Sequence, residues 1–459
     1  MGPLEVPAGA YYGASTQRAV LNFPISGERF TRRFIHALGT IKRAAAVVNG
    51  ELGVVDRRKA DAIAQAAQEV AAGALDDQFV LDVFQTGSGT STNMNANEVI
   101  GNRATELLGG AFGSKLVHPN DDVNQGQSSN DVIPTAIHLA VLGAIQHQLL
   151  PELAGLQSSL ERKAEEFWPV IKTGRTHLQD ATPIRLGQEF EGYAGQVQRG
   201  RQRLQWAQQD LQEVALGGNA VGTGINMHPE FPRRVCQLVS QWSGVPVSET
   251  ENHFQAQSTI DAVVFTSGAV RTVAVSLMKI ANDIRWMGSG PRAGIGEIEV
   301  PAVQPGSSIM PGKVNPVIAE ALTQVCAMAI GNDLGVTIAG QSGNFELNVM
   351  LPIAVRNLLQ SVDYLAAATR TFATELVDGL KATDRGPAQI EQGLMLVTAL
   401  APAIGYDAAA ALAKEAFGSG RTVRELAREL TSLSPAELDR ILDPAAMTEP
   451  GRSFASAGG

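Results

Sequence analysis

Val270-Arg-Thr-Val273-Ala274-Val-Ser-Leu277-Met-Lys-Ile-Ala281-Asn-Asp-Ile284 is the stretch from which the fold class is read. Val270, Val273, Ala274, Leu277, Ala281 and Ile284 recur at three-and-four spacing, the period of a helix that turns one stripe toward a core. Further apolar residues lie outside that stripe, as in Val273–Ala274–Val275 and Leu277–Met278. A helix wetted on one side has no use for them, whereas a helix surrounded by others in a bundle does. The same period links Leu347, Leu351, Ala354, Val355, Leu358, Val362 and Leu365, and similar patterns cover about 134–168, 188–216 and 316–334. Pro352 falls inside one of these patterns, which predicts a kink there. Strand signals are scarce. The chain reads as mainly α, in three regions: a mixed, mostly helical 1–127, a long-helix bundle over 128–383, and a small helical domain over 384–459 opened by Asp384-Arg-Gly-Pro387.

The 36 basic and 46 acidic residues leave a net charge of −10, so nothing in the overall balance attracts nucleic acid or an anionic membrane. Charged residues make up 18% of the chain, below the roughly 25% of ordinary globular domains. Much of the surface of an isolated subunit is therefore expected to be covered in an oligomer. Cys236 and Cys326 stand far apart, with neither metal-ligand nor disulfide-framework spacing, and fit a reducing cytosol. The start of the chain has neither signal-peptide nor transit-peptide character, and no run of about 18 uninterrupted apolar residues occurs. A cytoplasmic chain without a targeting extension or a transmembrane helix is the expectation.

Four segments rich in Gly, Ser, Thr and Asn each run toward a helix. They are Gln85-Thr-Gly-Ser88-Gly-Thr90-Ser-Thr-Asn93-Met-Asn95, His118-Pro-Asn120-Asp121-Asp-Val-Asn124-Gln-Gly-Gln-Ser128-Ser129-Asn130-Asp131, Gly174-Arg175-Thr176-His177-Leu-Gln179-Asp180-Ala-Thr182-Pro183, and Gly306-Ser307-Ser308-Ile-Met-Pro311-Gly312-Lys313-Val-Asn315-Pro316. Pro134 is placed in the first turn after the second segment. Asn315 reads as an N-cap, with Pro316 as the first helical residue. Helix N-termini expose unpaired N–H groups and partial positive charge, so several of them beside hydroxyls, Lys313 and His177 would hold a small, multiply charged anion. Any one of these residues can equally be a simple helix cap. The fourth segment is the most informative, because Gly306 and Gly312 loosen the backbone while Pro311 and Pro316 restrict it. That combination suits a loop that closes over a ligand and delivers a serine hydroxyl. Among the seven histidines, His177 is the acid–base candidate, in a polar loop between two long helices. His36, His138, His147, His228 and His253 are read as structural.

GSSIMPGKVNP, residues 306–316, is similar to the signature of the fumarase/aspartase superfamily. TGSGTSTNMNANEVI, HPNDDVNQGQSSNDVIPT and GRTHLQDATPIRLGQEF resemble class II fumarases in order and spacing, as do Ala215-Leu-Gly-Gly-Asn219, Gly343-Asn-Phe-Glu and the Leu-Met-Leu-Val-Thr-Ala of the tail. The resemblance implies a three-domain fumarase/aspartase-type subunit with a long central five-helix bundle, assembling into a homotetramer with a twenty-helix core. Its active sites would be shared, each drawing segments from three chains. The implied reaction is reversible hydration of fumarate to (S)-malate, with no metal and no organic cofactor. By the same resemblance Ser308 is the general base, and Lys313 and Asn315 hold the carboxylate on which charge develops. His177 serves the departing hydroxide, and Glu320 orients His177. Thr90, Ser128, Ser129 and Asn130 bind the substrate carboxylates, supported by Ser88 and Thr176. An alternative gives proton abstraction to His177 and a bound water, leaving Ser308 as a donor. His118, Asn120 and Asp121 resemble a second dicarboxylate site outside the catalytic pocket.

Four other functions compete with this one. Aspartate ammonia-lyase uses the same scaffold, but Gly312, Ser129 in QSSND and His118 in HPNDD follow the fumarase pattern. A hydratase of a methyl-substituted fumarate would leave the motifs intact. A non-catalytic structural protein on the same scaffold would not need Ser308, Lys313, His177 and Glu320 together. A helical protein-binding module would be indifferent to malate.

Overall fold

The structure, a computed structural model, describes residues 4–451. Helix occupies 63% of it, about twice the share in an ordinary globular domain. The described strands are short and pair only two by two. Five helices dominate: a continuous Ser129–Glu166, then Leu186–Asp210, Asp261–Met287, Val317–Gly340 and Leu351–Glu375. The first is interrupted by one π turn at Ile145–Leu149.

By compactness the chain divides into two units. Among the described residues, one comprises 4–152, 200–275 and 324–367, the other 153–199, 276–323 and 368–451, and each chain crossing falls inside a long helix.

In the first unit, helix Arg32–Glu51 packs against helices Arg57–Ala72, Ser129–Ala144 and Phe231–Ser243. Its buried face carries Phe34, Ile35, Leu38, Ile41, Ala45 and Val48, the amphipathic stripe a core helix requires. Gly39 allows the closest approach: a Cβ there would lie 2.8 Å from the backbone nitrogen of Ala71. In the second unit, Ile171–Thr176 and Gln179–Arg185 form an antiparallel hairpin with Ile171 opposite Arg185 and Thr176 opposite Gln179. Phe167, Phe190 and Tyr193 pack edge-on beside its base. The short C-terminal helices enclose a core of their own, including Leu400, Leu412, Leu426, Leu438 and Leu442.

The structure corrects several local expectations. Pro352 does not kink a helix. Gly343–Asn344 and Leu347–Asn348 form a small hairpin, and the helix starts only at Leu351, so Pro352 lies in its first turn, where a missing N–H is harmless. Pro134 lies beyond the first turn, because the helix already begins at Ser129. The third polar segment is not a loop between helices but the hairpin just described. Three helices, Ser129–Glu166, Asp261–Met287 and Val317–Gly340, are also long and apolar enough to cross a membrane, although none is an uninterrupted apolar run. Their most apolar windows are 72%, 50% and 33% buried within the chain, so the last two keep much apolar surface uncovered by this subunit.

Candidate active site

The first two polar segments lie in the first unit and meet there. Gly89, at φ 71°, precedes helix Thr90–Leu107, and a Cβ on it would meet the side chain of Ile133. Gly87 is tighter: its Cβ would fall 1.7 Å from the carbonyl oxygen of Val349, while its own carbonyl accepts the Leu351 N–H at 3.0 Å. The first segment is thereby seated on the Gly343–Val349 stretch. Ser88 Oγ and Thr90 Oγ1 are 2.7 Å apart.

Ser128 caps the next helix through a reciprocal box. Its hydroxyl accepts the Asn130 N–H at 3.2 Å, and Asp131 Oδ1 accepts the Ser128 N–H at 2.9 Å. Asp131 Oδ2 accepts the N–H groups of Gly217 and Asn219 at 3.1 and 3.0 Å, and Asn130 Nδ2 donates to the Ala220 carbonyl at 2.8 Å. Asn93 joins the two segments, donating to Ser129 Oγ at 3.1 Å and to Asn124 Oδ1 at 3.2 Å. Ser88, Thr90, Ser128, Ser129 and Asn130 thus share one polar cluster at two helix entrances, a setting suited to an anion. Nearby, His118 caps the π turn Pro119–Val123. Its Nδ1 accepts the Asp121 N–H at 3.1 Å, and its own N–H donates to Asp122 Oδ2 at 2.7 Å. Asn120 and Asp121 are exposed.

The other two segments lie in the second unit. His177 and Leu178 are the two turn residues of the hairpin, at φ 56° and 59°. A two-residue hairpin turn favours this left-handed pair because it matches the strand twist, but it usually recruits Asn-Gly. Thr176, His177 and Leu178 are exposed, and His177 makes no hydrogen bond or ion pair with a described residue. The hairpin base is held by buried charge. Lys172 Nζ lies 2.9 Å from Glu189 and 2.8 Å from Glu297, and Arg175 Nη1 lies 2.8 Å from Glu297. Burial pushes the Glu189 carboxyl upward, against the opposing pull of Lys172.

The fourth segment closes on itself. The Gly306 N–H donates to the Lys313 carbonyl at 2.9 Å, and Gly312 takes φ 80°. Asn315 is not the N-cap: its Nδ2 donates to the Gly306 carbonyl at 2.7 Å, and helix Val317–Gly340 starts from the carbonyl of Pro316. The serine pair divides its work. Ser307 Oγ accepts the N–H groups of Ile309 and Met310 at 3.2 and 3.0 Å, whereas Ser308 is exposed and unengaged by any described residue. Lys313 is exposed, and Glu320 stands half-buried in the first turn of the helix. Within the chain His177 forms no ion pair with Glu320 and no hydrogen bond with Ser308.

These segments can be set beside known proteins. A family model described as Lyase matches residues 2–331, and one described as Fumarase C C-terminus matches residues 396–449. The chain is 53% identical to the class II fumarate hydratase of Methylorubrum extorquens and 55% identical to that of Halobacterium salinarum, with 98% of this chain and 96% of each relative covered. The crystal structure of the class II fumarase from Schistosoma mansoni superposes with a TM-score of 0.95 at 39% identity, over 97% of both chains. The chain belongs to the class II fumarate hydratase family. Two further charged groups lie outside the four segments: Lys42, buried behind the first two, and Lys172 with Glu297, beneath the hairpin. Neither has a local motif. Each is recognisable only because its charge is buried, and burial is settled by partners distant in sequence. Among the described residues, no three His, Cys, Asp or Glu side chains gather as a metal site.

Proposed function

We propose that this chain catalyses the reversible hydration of fumarate to (S)-malate, a hydro-lyase reaction of the tricarboxylic acid cycle. The observation that carries this reading is its likeness, above 50% identity over nearly the whole chain, to proteins named class II fumarate hydratase. The substrate is a small dicarboxylate. Dehydrating malate removes a weakly acidic proton from the carbon next to a carboxylate, so catalysis must come largely from donors arranged for the extra negative charge. Ser308 takes that proton, Lys313 and Asn315 hold the resulting aci-carboxylate, and His177 protonates the departing hydroxide, yielding fumarate and water. Ser88, Thr90, Ser128, Ser129, Asn130 and Thr176 bind the substrate, and Glu320 orients His177. The unengaged Ser308 hydroxyl beside a braced Ser307 supports this division of labour.

The working form is a homotetramer whose sites are shared between copies. In support, Phe265, Val275, Met328, Leu334 and Ile338 are large apolar residues on the long helices, each about half exposed or more in the subunit. The regions 1–127, 128–383 and 384–459 are its three domains, the last supported by its separate core. Cys236 and Cys326 are free and buried, in keeping with a cytoplasmic setting. His118, Asn120 and Asp121 form a second dicarboxylate site, in which the Asn120 amide is the exposed donor.

An ultraviolet assay for fumarate formation, offering malate and aspartate separately, tests the activity. Fumarate is expected from malate alone. Ammonia release from aspartate without turnover of malate would overturn the reading, and inactivity toward both would favour a structural role.

A further inference from the structure

Lys42 is fully buried in the helix Arg32–Glu51, yet no carboxylate comes within ion-pair distance of it among the described residues. Its Nζ donates instead to two neutral amides, Asn124 Oδ1 at 2.9 Å and Gln127 Oε1 at 3.0 Å. Asn124 Oδ1 is a hub: it also accepts from Asn93 Nδ2 at 3.2 Å and Asn97 Nδ2 at 3.1 Å, and Asn93 continues to Ser129 Oγ. Gln127 immediately precedes Ser128. One buried ammonium therefore fixes the amides behind both polar helix entrances.

We propose that Lys42 is a positioning residue of the dicarboxylate site: it sets the geometry of Ser128–Asn130 and Thr90 through Asn124 and Gln127, and its charge is balanced by the bound dianion. This rests on the function proposed above. Asp131 is the charged group that favours protonation of Lys42, but its own oxygens are already taken by the N–H groups of Ser128, Gly217 and Asn219. Other charges on the packed elements are engaged elsewhere: Lys59 with Asp122, Arg103 with Glu69, Arg234 with Glu51, and Glu98 with the N–H groups of Gly13, Ser15 and Thr16. His138, half-buried, faces the carbonyls of Leu211 and Glu213. Burial lowers the proton affinity of Lys42 to about 7, so a dianion at the helix entrances decides its protonation near neutral pH. By linkage, protonated Lys42 must strengthen dianion binding by the same factor.

The test uses succinate, an unreactive four-carbon dicarboxylate, titrated calorimetrically into the full-length enzyme. Wild type is expected to bind with net proton uptake at a pH just above neutrality, and more weakly as the pH rises through about 7. Because Asp131 also holds the Ser128 N–H, the informative variant is Lys42→Met with Asp131→Asn, which buries neither charge, read against Asp131→Asn alone. It should bind succinate roughly tenfold more weakly, with a shallower pH dependence, and raise KM for fumarate more than it lowers kcat. A folded double variant with wild-type affinity and pH dependence would overturn the proposal. If that variant does not fold, absence of proton uptake by the wild type has the same force. Failure of the wild type either to bind succinate or to hydrate fumarate would instead overturn the functional reading itself.

Discussion

Ser308 and Ser307 are chemically identical neighbours, and the structure separates them. Ser307 braces the turn through two N–H groups, while Ser308 is exposed and engages no described residue. Ser308→Ala is expected to lower kcat by about 10²–10⁴, the range of general acid–base catalysis, with little change in succinate affinity. Near-normal turnover would remove Ser308 from proton transfer and leave that role to His177 with water. Ser307→Ala should loosen the loop and raise KM first. Gly87 offers a purely steric test, since a methyl group there would overlap the Val349 carbonyl oxygen. Gly87→Ala should destabilise the subunit by about 3 kcal/mol, measured by denaturant unfolding, because backbone cannot step aside as a flexible side chain can. Most of the candidate residues were legible in the sequence, because hydroxyls, amides and His177 are dense around Gly and Pro. Lys42 was not. A lysine in an alanine-rich helical pattern looks solvated until the fold surrounds it.

Among the elements, the hairpin carrying His177 shows where pattern reading fails. Its strands are polar and short, so neither alternation nor β-branched density announces them, and the two turn residues lack the usual Asn-Gly signal. What stabilises it lies elsewhere in the chain, in the Lys172–Glu189–Glu297–Arg175 cluster. Lys172→Met leaves the buried Glu297 to Arg175 alone and the half-buried Glu189 without its cation, and a loss of about 3 kcal/mol in unfolding free energy is expected. Restoring charge balance with Glu297→Gln in the same chain should recover part of it, and no recovery would show that packing, not charge, dominates there. The long helices were legible for the opposite reason: their apolar period persists over many turns. Two extensions of it mislead: from Leu351 back to Leu347, where a short hairpin continues the spacing, and from Asp210 on to Leu216, where the chain turns into the strand Glu213–Val214.

For the whole molecule, the central expectation is that one chain cannot complete an active site. Mass measurement in solution should give four subunits. A sharper test mixes two inactive variants, Ser308→Ala and His177→Asn, by co-expression. If a site takes these residues from different copies, random assembly restores roughly a quarter of the sites; if one chain supplies both, nothing returns. Helix Ser129–Glu166 adds a mechanical consequence. Its π turn at Ile145–Leu149 accommodates a residue more than the regular spiral would. Deleting one residue there is expected to restore the ordinary winding with the flanking turns still in phase, whereas deleting one from a regular stretch of the helix just after it would rotate the following residues by about 100°. Only in the second case would Leu153, Leu156 and Leu160, now fully enclosed, swing out of their sockets. The wide turn works as a shim: it takes up one surplus residue and leaves the inward-facing leucines after it where they are.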